Sequence, residues 1–174
     1  IRPDILTIIV PRHPERRDYI AETLSDQAVM FRGEDKQLPD TQTDIYIADT
    51  LGELGLFYAL SQIAVIGRSF SDDGGGGHNP IEAAQLDCAI LSGAHVKYQQ
   101  EIFDELVRSK AAELINDPGE LSARLAHYFE NPDDLQEMQS NAKDFVAGKD
   151  RILIDVESRL WHLIDDALAE REGA

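Results

Sequence analysis

A chain of 174 residues with 43% hydrophobic content has the length of one domain and enough apolar side chains to bury a core, which excludes a disordered chain. Its 33 Asp and Glu against 16 Lys and Arg leave a net charge of −17, which repels phosphate backbones and anionic lipid and so speaks against nucleic-acid or membrane-surface binding. The single cysteine, Cys88, excludes an internal disulfide and a cysteine metal cluster, and no apolar run approaches the roughly 18 to 20 residues of a membrane helix, so a soluble chain is expected.

Short apolar runs alternate with amphipathic stretches. DILTIIV (Asp4 to Val10) reads as a buried parallel strand, and a helix over ERRDYIAETLSD is expected after Pro14. AVMFRG (Ala28 to Gly33) is a weaker strand and DIYIAD (Asp44 to Asp49) a clearer one, leading into a helix over GELGLFYALS. QIAVIG (Gln62 to Gly67), CAILSG (Cys88 to Gly93) and AAELIND (Ala111 to Asp117) complete the strands, with helices over PIEAAQL and KYQQEIFDELVRS between them. From about residue 118 only helices are expected: GELSARLAHYFEN, DDLQEMQSNAKDFVAG and RILIDVESRLWHLIDDALAERE, the last packing Leu160, Trp161, Leu163 and Ile164 on the core. This rhythm predicts right-handed βαβ crossovers in an α/β fold, a doubly wound parallel sheet with helices on both faces, over a single domain of residues 1–174.

Sheets of this kind bind ligands beyond the carboxyl ends of their strands, in the loops that enter helices. Three such loops hold suggestive residues. PRHPERR follows the first strand: Arg12 can grip a phosphate through two parallel hydrogen bonds and His13 can donate another, whereas Arg16 and Arg17 read as solvated on the first helical turn. DTLGEL follows the strand ending at Asp49. Thr50 and Glu53 stand at capping-box spacing, and Gly52 opens the turn so that the backbone from Gly52 through Glu53 to Leu54 can meet a planar base.

The third loop, GRSFSDDGGGGHNPIEAA, holds four consecutive glycines, Gly74 to Gly77, before His78 and Asn79. Glycine lets a ligand approach the main chain, Asn79 is a good N-cap, and Pro80 suits the first helical position. The helix start then favours an anion, and Glu82 stands where a carboxylate can accept hydrogen bonds from ribose hydroxyls. A capped flexible connector is the alternative reading of this loop.

Histidines 13, 78, 95, 127 and 162 are scattered without zinc-helix spacing, and Asp72 and Asp73 read as a solvated turn. No G-x-G-x-x-G follows the first strand and no Walker lysine is present, so neither a metal nor a dinucleotide cofactor is expected.

In order and separation, VPRHPER, DTLGEL and GGGGHNPIEAA resemble the C-terminal half of the 3-deoxy-D-manno-octulosonic acid (Kdo) transferases, from the first strand to about residue 146. The resemblance implies the Rossmann-like C-terminal half of a GT-B fold and an inverting glycosyltransferase that works without a metal or other cofactor. The donor implied is CMP-Kdo and the acceptor a lipid A precursor, with acceptor side, catalytic base and membrane contact in an N-terminal half, at the cytoplasmic face of the bacterial inner membrane. Within this chain it implies donor-binding residues only: Arg12 and His13 at the phosphate, Gly52, Glu53 and Leu54 by the cytosine, and Gly77, His78, Asn79 and Glu82 at the phosphate and ribose. It further implies a fragment of a protein about twice as long, inactive by itself. Two departures stand out: Arg68 occupies a position where the family commonly has a second glycine, and SGAHV (Ser92 to Val96) lacks the proline commonly found before that histidine. Two other readings stay open, the donor half of another GT-B enzyme using a UDP-sugar (transferase or epimerase) and a non-catalytic nucleotide-binding domain.

Overall fold

The computed structural model describes residues 5–33, 35–73 and 75–172, with side chains beyond Lys149 described only at Glu157, Leu160 and Trp161. Two compact units divide the chain, Ile1–Leu60 and Ser61–Ala174.

The first unit holds three short strands, β1 (Thr7–Ile9), β2 (Val29–Phe31) and β3 (Ile45–Ile47), in the order β1-β3-β2. Both pairings are parallel, with Thr7 opposite Ile45 and Val29 opposite Ile45. A 3-10 turn over Pro14–Arg16 leads into α1 (Arg17–Thr23), and α2 (Leu54–Leu60) follows β3. Tyr46, Ala48 and Phe57 form its small core, packed by Ile8, Val10 and Met30. Because β1 and β3 run the same way, the segments that follow them, which carry PRHPERR and DTLGEL, leave one end of one sheet.

The second unit is built on β4 (Ile63–Ile66), β5 (Ala89–Gly93) and β6 (Ala112–Ile115), in the order β4-β5-β6 and again all parallel. Every residue of β5 is buried, as expected of a central parallel strand. Its Ile90 and Leu91 are fully enclosed, each adding about 1.5 to 3 kcal/mol of hydrophobic stabilisation. The helices are α3 (Ile81–Gln85), α4 (Gln100–Arg108), α5 (Pro118–Glu130) and α6 (Pro132–Glu172). Asp117 caps α5 by accepting from the Glu120 amide at 2.9 Å, and Pro118 occupies the first helical position. Along α6, Leu135, Met138, Ala142 and Val146 are buried at helical spacing. Leu135 and Met138 pack with Ala89, Leu91, Ile115 and Tyr128.

The α/β class and the parallel pairing match expectation, with the strands arranged as one three-stranded sheet in each unit. Two details differ. The last two expected helices are one, α6, because neither Gly148 nor its neighbours interrupt the backbone ladder. Leu160 and Trp161 are 56% and 58% exposed and do not join the core, while the side chains of His162, Leu163 and Ile164 lie outside the described residues.

Candidate functional site

Beyond β1, Arg12 is exposed. His13 is exposed too, with Nδ1 3.1 Å from Glu15 Oε1. Arg17 is exposed as expected, yet its guanidinium is also paired. It donates to Asp49 Oδ2 at 2.6 Å and lies 4.5 Å from the centre of the Phe31 ring, while Asp49 Oδ1 accepts from the Gly33 amide at 2.8 Å. Asp49 stands two residues beyond β3, so this ion pair ties the helix after β1 to the loop after β3. Arg16 lies over Tyr19, 5.0 Å from its ring centre, at the surface.

The expected capping box at Thr50 and Glu53 does not form across the first turn. Gly52 takes φ +80, a left-handed value that interrupts the helical path, and α2 starts only at Leu54. The Thr50 hydroxyl donates to the Glu53 carboxylate instead of accepting from its amide. Glu53 is occupied further by Arg32, whose Nε and Nη2 donate to its two oxygens at 2.8 and 2.9 Å, and by Lys36 Nζ at 3.1 Å. Those hydrogen bonds, from Arg32 first and Thr50 second, hold the Glu53 carboxyl well below the usual range. The turn in DTLGEL is open at Gly52, where nothing beyond its two chain neighbours lies within 4 Å of where a side chain would begin, beside the Leu51 side chain, 77% exposed.

Arg32 escaped the sequence reading. It is 7% exposed, and Nη1 donates to the Tyr46 hydroxyl at 3.0 Å, while that hydroxyl donates to the Gln37 carbonyl. The one available signal was a lone cation ending the apolar run AVMF.

In the second unit the glycine loop is held by specific bonds. The Gly77 amide donates to the Arg68 carbonyl at 2.9 Å, and the Gly75 amide to Asp73 Oδ1 at 2.9 Å, which lowers the Asp73 carboxyl and confirms the turn expected there. Gly76 and Gly77 have φ +63 and +77; a side chain on Gly76 would begin 2.1 Å from the Tyr98 ring. Gly74 lies outside the described residues. Arg68, at φ +56, takes the left-handed conformation that explains why a glycine suits its position. Asn79 Oδ1 accepts from the Ile81 amide at 2.9 Å in a turn ahead of the helix, but the N-cap of α3 is Pro80, fully buried and without a side-chain cap, so the expected cap at Asn79 with Pro80 as the first helical residue is shifted by one position. His78 is half-buried, and Glu82 is exposed in the first turn with no hydrogen bond or ion pair among the described residues.

β5 ends beside this loop. The buried Ser69 hydroxyl donates to the Ile66 carbonyl at 2.7 Å and accepts from the Gly93 amide at 2.8 Å, and the His95 amide donates to the Ser69 carbonyl at 2.9 Å. The segments after β4 and β5 thereby enclose a cleft of about 150 Å³. The sequence reading touched this region through Asp72 and the glycine loop on one side and SGAHV on the other, without joining the two. Each unit thus gathers its own expected residues at the carboxyl ends of its strands, Arg12 to Leu54 in the first and Gly77 to Glu82 in the second. Among the described residues no group of three or more His, Cys, Asp or Glu could hold a metal ion, and no helix is long and apolar enough to cross a membrane.

No family model matches the chain. It is 34% identical over 94% of its length to a protein of Arabidopsis thaliana named probable 3-deoxy-D-manno-octulosonic acid transferase, mitochondrial. It is 33% identical over 80% of its length to the 3-deoxy-D-manno-octulosonic acid transferase of Haemophilus influenzae, and 34% identical over 86% to that of Rickettsia bellii. These matches take in 36%, 33% and 36% of the relatives, so the chain spans about a third of their length, less than the half implied by its motifs. A crystal structure of the C-terminal CMP-Kdo binding domain of WaaA from Acinetobacter baumannii superposes with a TM-score of 0.77 at 30% identity, covering 82% of this chain and 74% of that one.

Proposed function

The chain belongs to the 3-deoxy-D-manno-octulosonic acid (Kdo) transferase family, and from that membership we propose that it is the donor-binding domain of such an enzyme, holding CMP-Kdo while its sugar passes to a lipid A precursor. The observation that carries this reading is the likeness, in sequence and fold together, to a solved domain described as CMP-Kdo binding. The solved domain described as CMP-Kdo binding favours a CMP-sugar over a UDP-sugar donor, and relatives named Kdo transferases favour an enzyme over a non-catalytic module.

The proposed roles follow from what each residue leaves available. Arg12, exposed at a strand end, offsets the donor phosphate in a chain of net charge −17, with His13 beside it. Backbone groups of the turn from Gly52 through Glu53 to Leu54 meet the cytosine, Glu53 serving as the internal brace of that turn. Gly77, His78 and Asn79 line the approach to α3, and the Glu82 carboxylate accepts from ribose hydroxyls. The residues of the chain act as one donor-binding domain that positions the donor and neutralises its charge. Activation of the acceptor hydroxyl and contact with the cytoplasmic face of the bacterial inner membrane belong to the part of the protein outside this chain.

Calorimetric titration of the chain with CMP, UMP and AMP tests the proposal. CMP binding in preference to the other two, with no sugar transfer by the chain alone, is expected. Equal binding of all three, or none, overturns it.

A further inference from the structure

The cleft beyond β4 and β5 is lined by Ser71, Asp72 and Gly76 on one side and His95, Lys97 and Gln100 on the other. Its walls are tied together: His95 donates its amide to Ser69, Tyr98 donates its amide to the Gly76 carbonyl at 3.3 Å, and the Tyr98 ring lies where a Gly76 side chain would stand. The Lys97 ammonium sits 5.1 Å from the centre of that ring, held at the mouth of the cleft by a cation-π contact. A recess of about 150 Å³, with one exposed cation at its mouth, one carboxylate and several further polar groups, has the chemistry of a site for a small polyhydroxylated acid. The cation answers a carboxylate, while Asp72, Ser71 and Gln100 answer hydroxyls. The cleft shares Gly76 with the loop that runs on through Gly77 to Asn79 and Glu82, so a ligand anchored there by its nucleotide can direct its other half into it.

We propose that this cleft receives the sugar-acid half of the nucleotide-sugar donor, with Lys97 facing the sugar carboxylate and Asp72 accepting from its hydroxyls. The inference rests on the donor-domain reading above. The departure at SGAHV then marks the wall of the sugar subsite, where Ala94 and His95 lead through the buried Val96 to Lys97.

The test compares CMP with CMP-Kdo on the 174-residue chain, its Lys97→Ala and Asp72→Asn variants, and a control, Lys143→Ala, which removes a surface lysine paired with Asp87 in the same unit. The unmodified chain and the control should bind CMP-Kdo at least tenfold more tightly than CMP. Lys97→Ala should bring that ratio close to one and Asp72→Asn should reduce it severalfold, each with CMP affinity within twofold of the unmodified chain and an unchanged melting temperature. CMP binding without any gain for CMP-Kdo, or a gain that survives Lys97→Ala, overturns the assignment of the cleft and leaves the donor reading standing. Failure of the unmodified chain to bind CMP overturns both.

Discussion

The Arg32 guanidinium donates to both carboxylate oxygens of Glu53, at 2.8 and 2.9 Å, across 21 residues of sequence and with both side chains largely shielded. This fork joins the end of β2 to the turn ahead of α2, so the open turn at Gly52 depends on it. Glu53→Gln should lower the melting temperature by several degrees and Lys36→Ala, at an exposed ammonium, by much less. Equal losses in the two variants would contradict the importance given to the fork.

The same pair sets a pH dependence. Hydrogen bonds keep the folded-state carboxyl of Glu53 well below its ordinary value of 4.5, so the stability it contributes is fully present above that value and is lost as the pH falls. Melting temperatures measured from pH 7 down to pH 3 should fall more gently for Glu53→Gln than for the unmodified chain below about pH 4.5, where a glutamine has no proton to take up. Parallel curves over that window would contradict the assignment.

Glu82 and Asn79 should separate binding from stability. Glu82 has no protein partner among the described residues, so Glu82→Ala should leave the melting temperature unchanged and weaken CMP by about 1 to 3 kcal/mol, the usual loss for a hydrogen bond to a charged group. Asn79→Ala removes the acceptor of the Ile81 amide ahead of α3 and should cost about 1 kcal/mol of stability. Denaturation and titration of the two variants side by side decide it; a stability loss in Glu82→Ala with unchanged affinity returns the loop to a capped connector.

Ser69 and Gly93 hold the ends of β4 and β5 together. Ser69→Ala leaves the buried Gly93 amide unpaired and should cost about 1 to 3 kcal/mol in chemical denaturation. In Gly93→Ala the new methyl would begin 2.0 Å from the Ser69 carbonyl oxygen, a backbone atom that cannot rotate away, so a loss of about 3 kcal/mol or more is expected. A Gly93→Ala variant as stable as the parent would contradict the close approach.

Arg12→Ala should weaken CMP much more than cytidine, which has no phosphate to hold. Arg16→Ala, at the surface over Tyr19, should have a small effect that fades with salt, because exposed charges are screened within about 8 to 10 Å at ordinary ionic strength. Arg17→Ala should act on stability, through Asp49 and Phe31. Equal losses of CMP and cytidine affinity in Arg12→Ala would make the arginine a loop support.

The strands and most helices were legible because their signals are local: apolar runs of strand length, turn residues at their ends, Asp117 and Pro118 at a helix start. The interactions that were missed are not local. Nothing adjacent to Arg32 announces Glu53, and the spacing of Thr50 and Glu53 imitates a capping box that the left-handed Gly52 prevents. The ion pair of the exposed Arg17 escaped because its partner Asp49 is 32 residues away. At the far end, Leu160 and Trp161 follow the period of a buried face, yet their exposure shows that periodicity alone cannot say what a helix packs against.

The central claim is that CMP lies against these particular loops, and nuclear magnetic resonance of the nitrogen-15-labelled chain during a CMP titration tests it most directly. The amide signals of Arg12, Gly52 and Leu54 in the first unit and of Gly77, Asn79 and Glu82 in the second should move saturably with CMP, those of α5 and the start of α6 should stay in place, and AMP at the same concentrations should move them far less. Shifts confined to other segments, or the same shifts with AMP, would contradict the account.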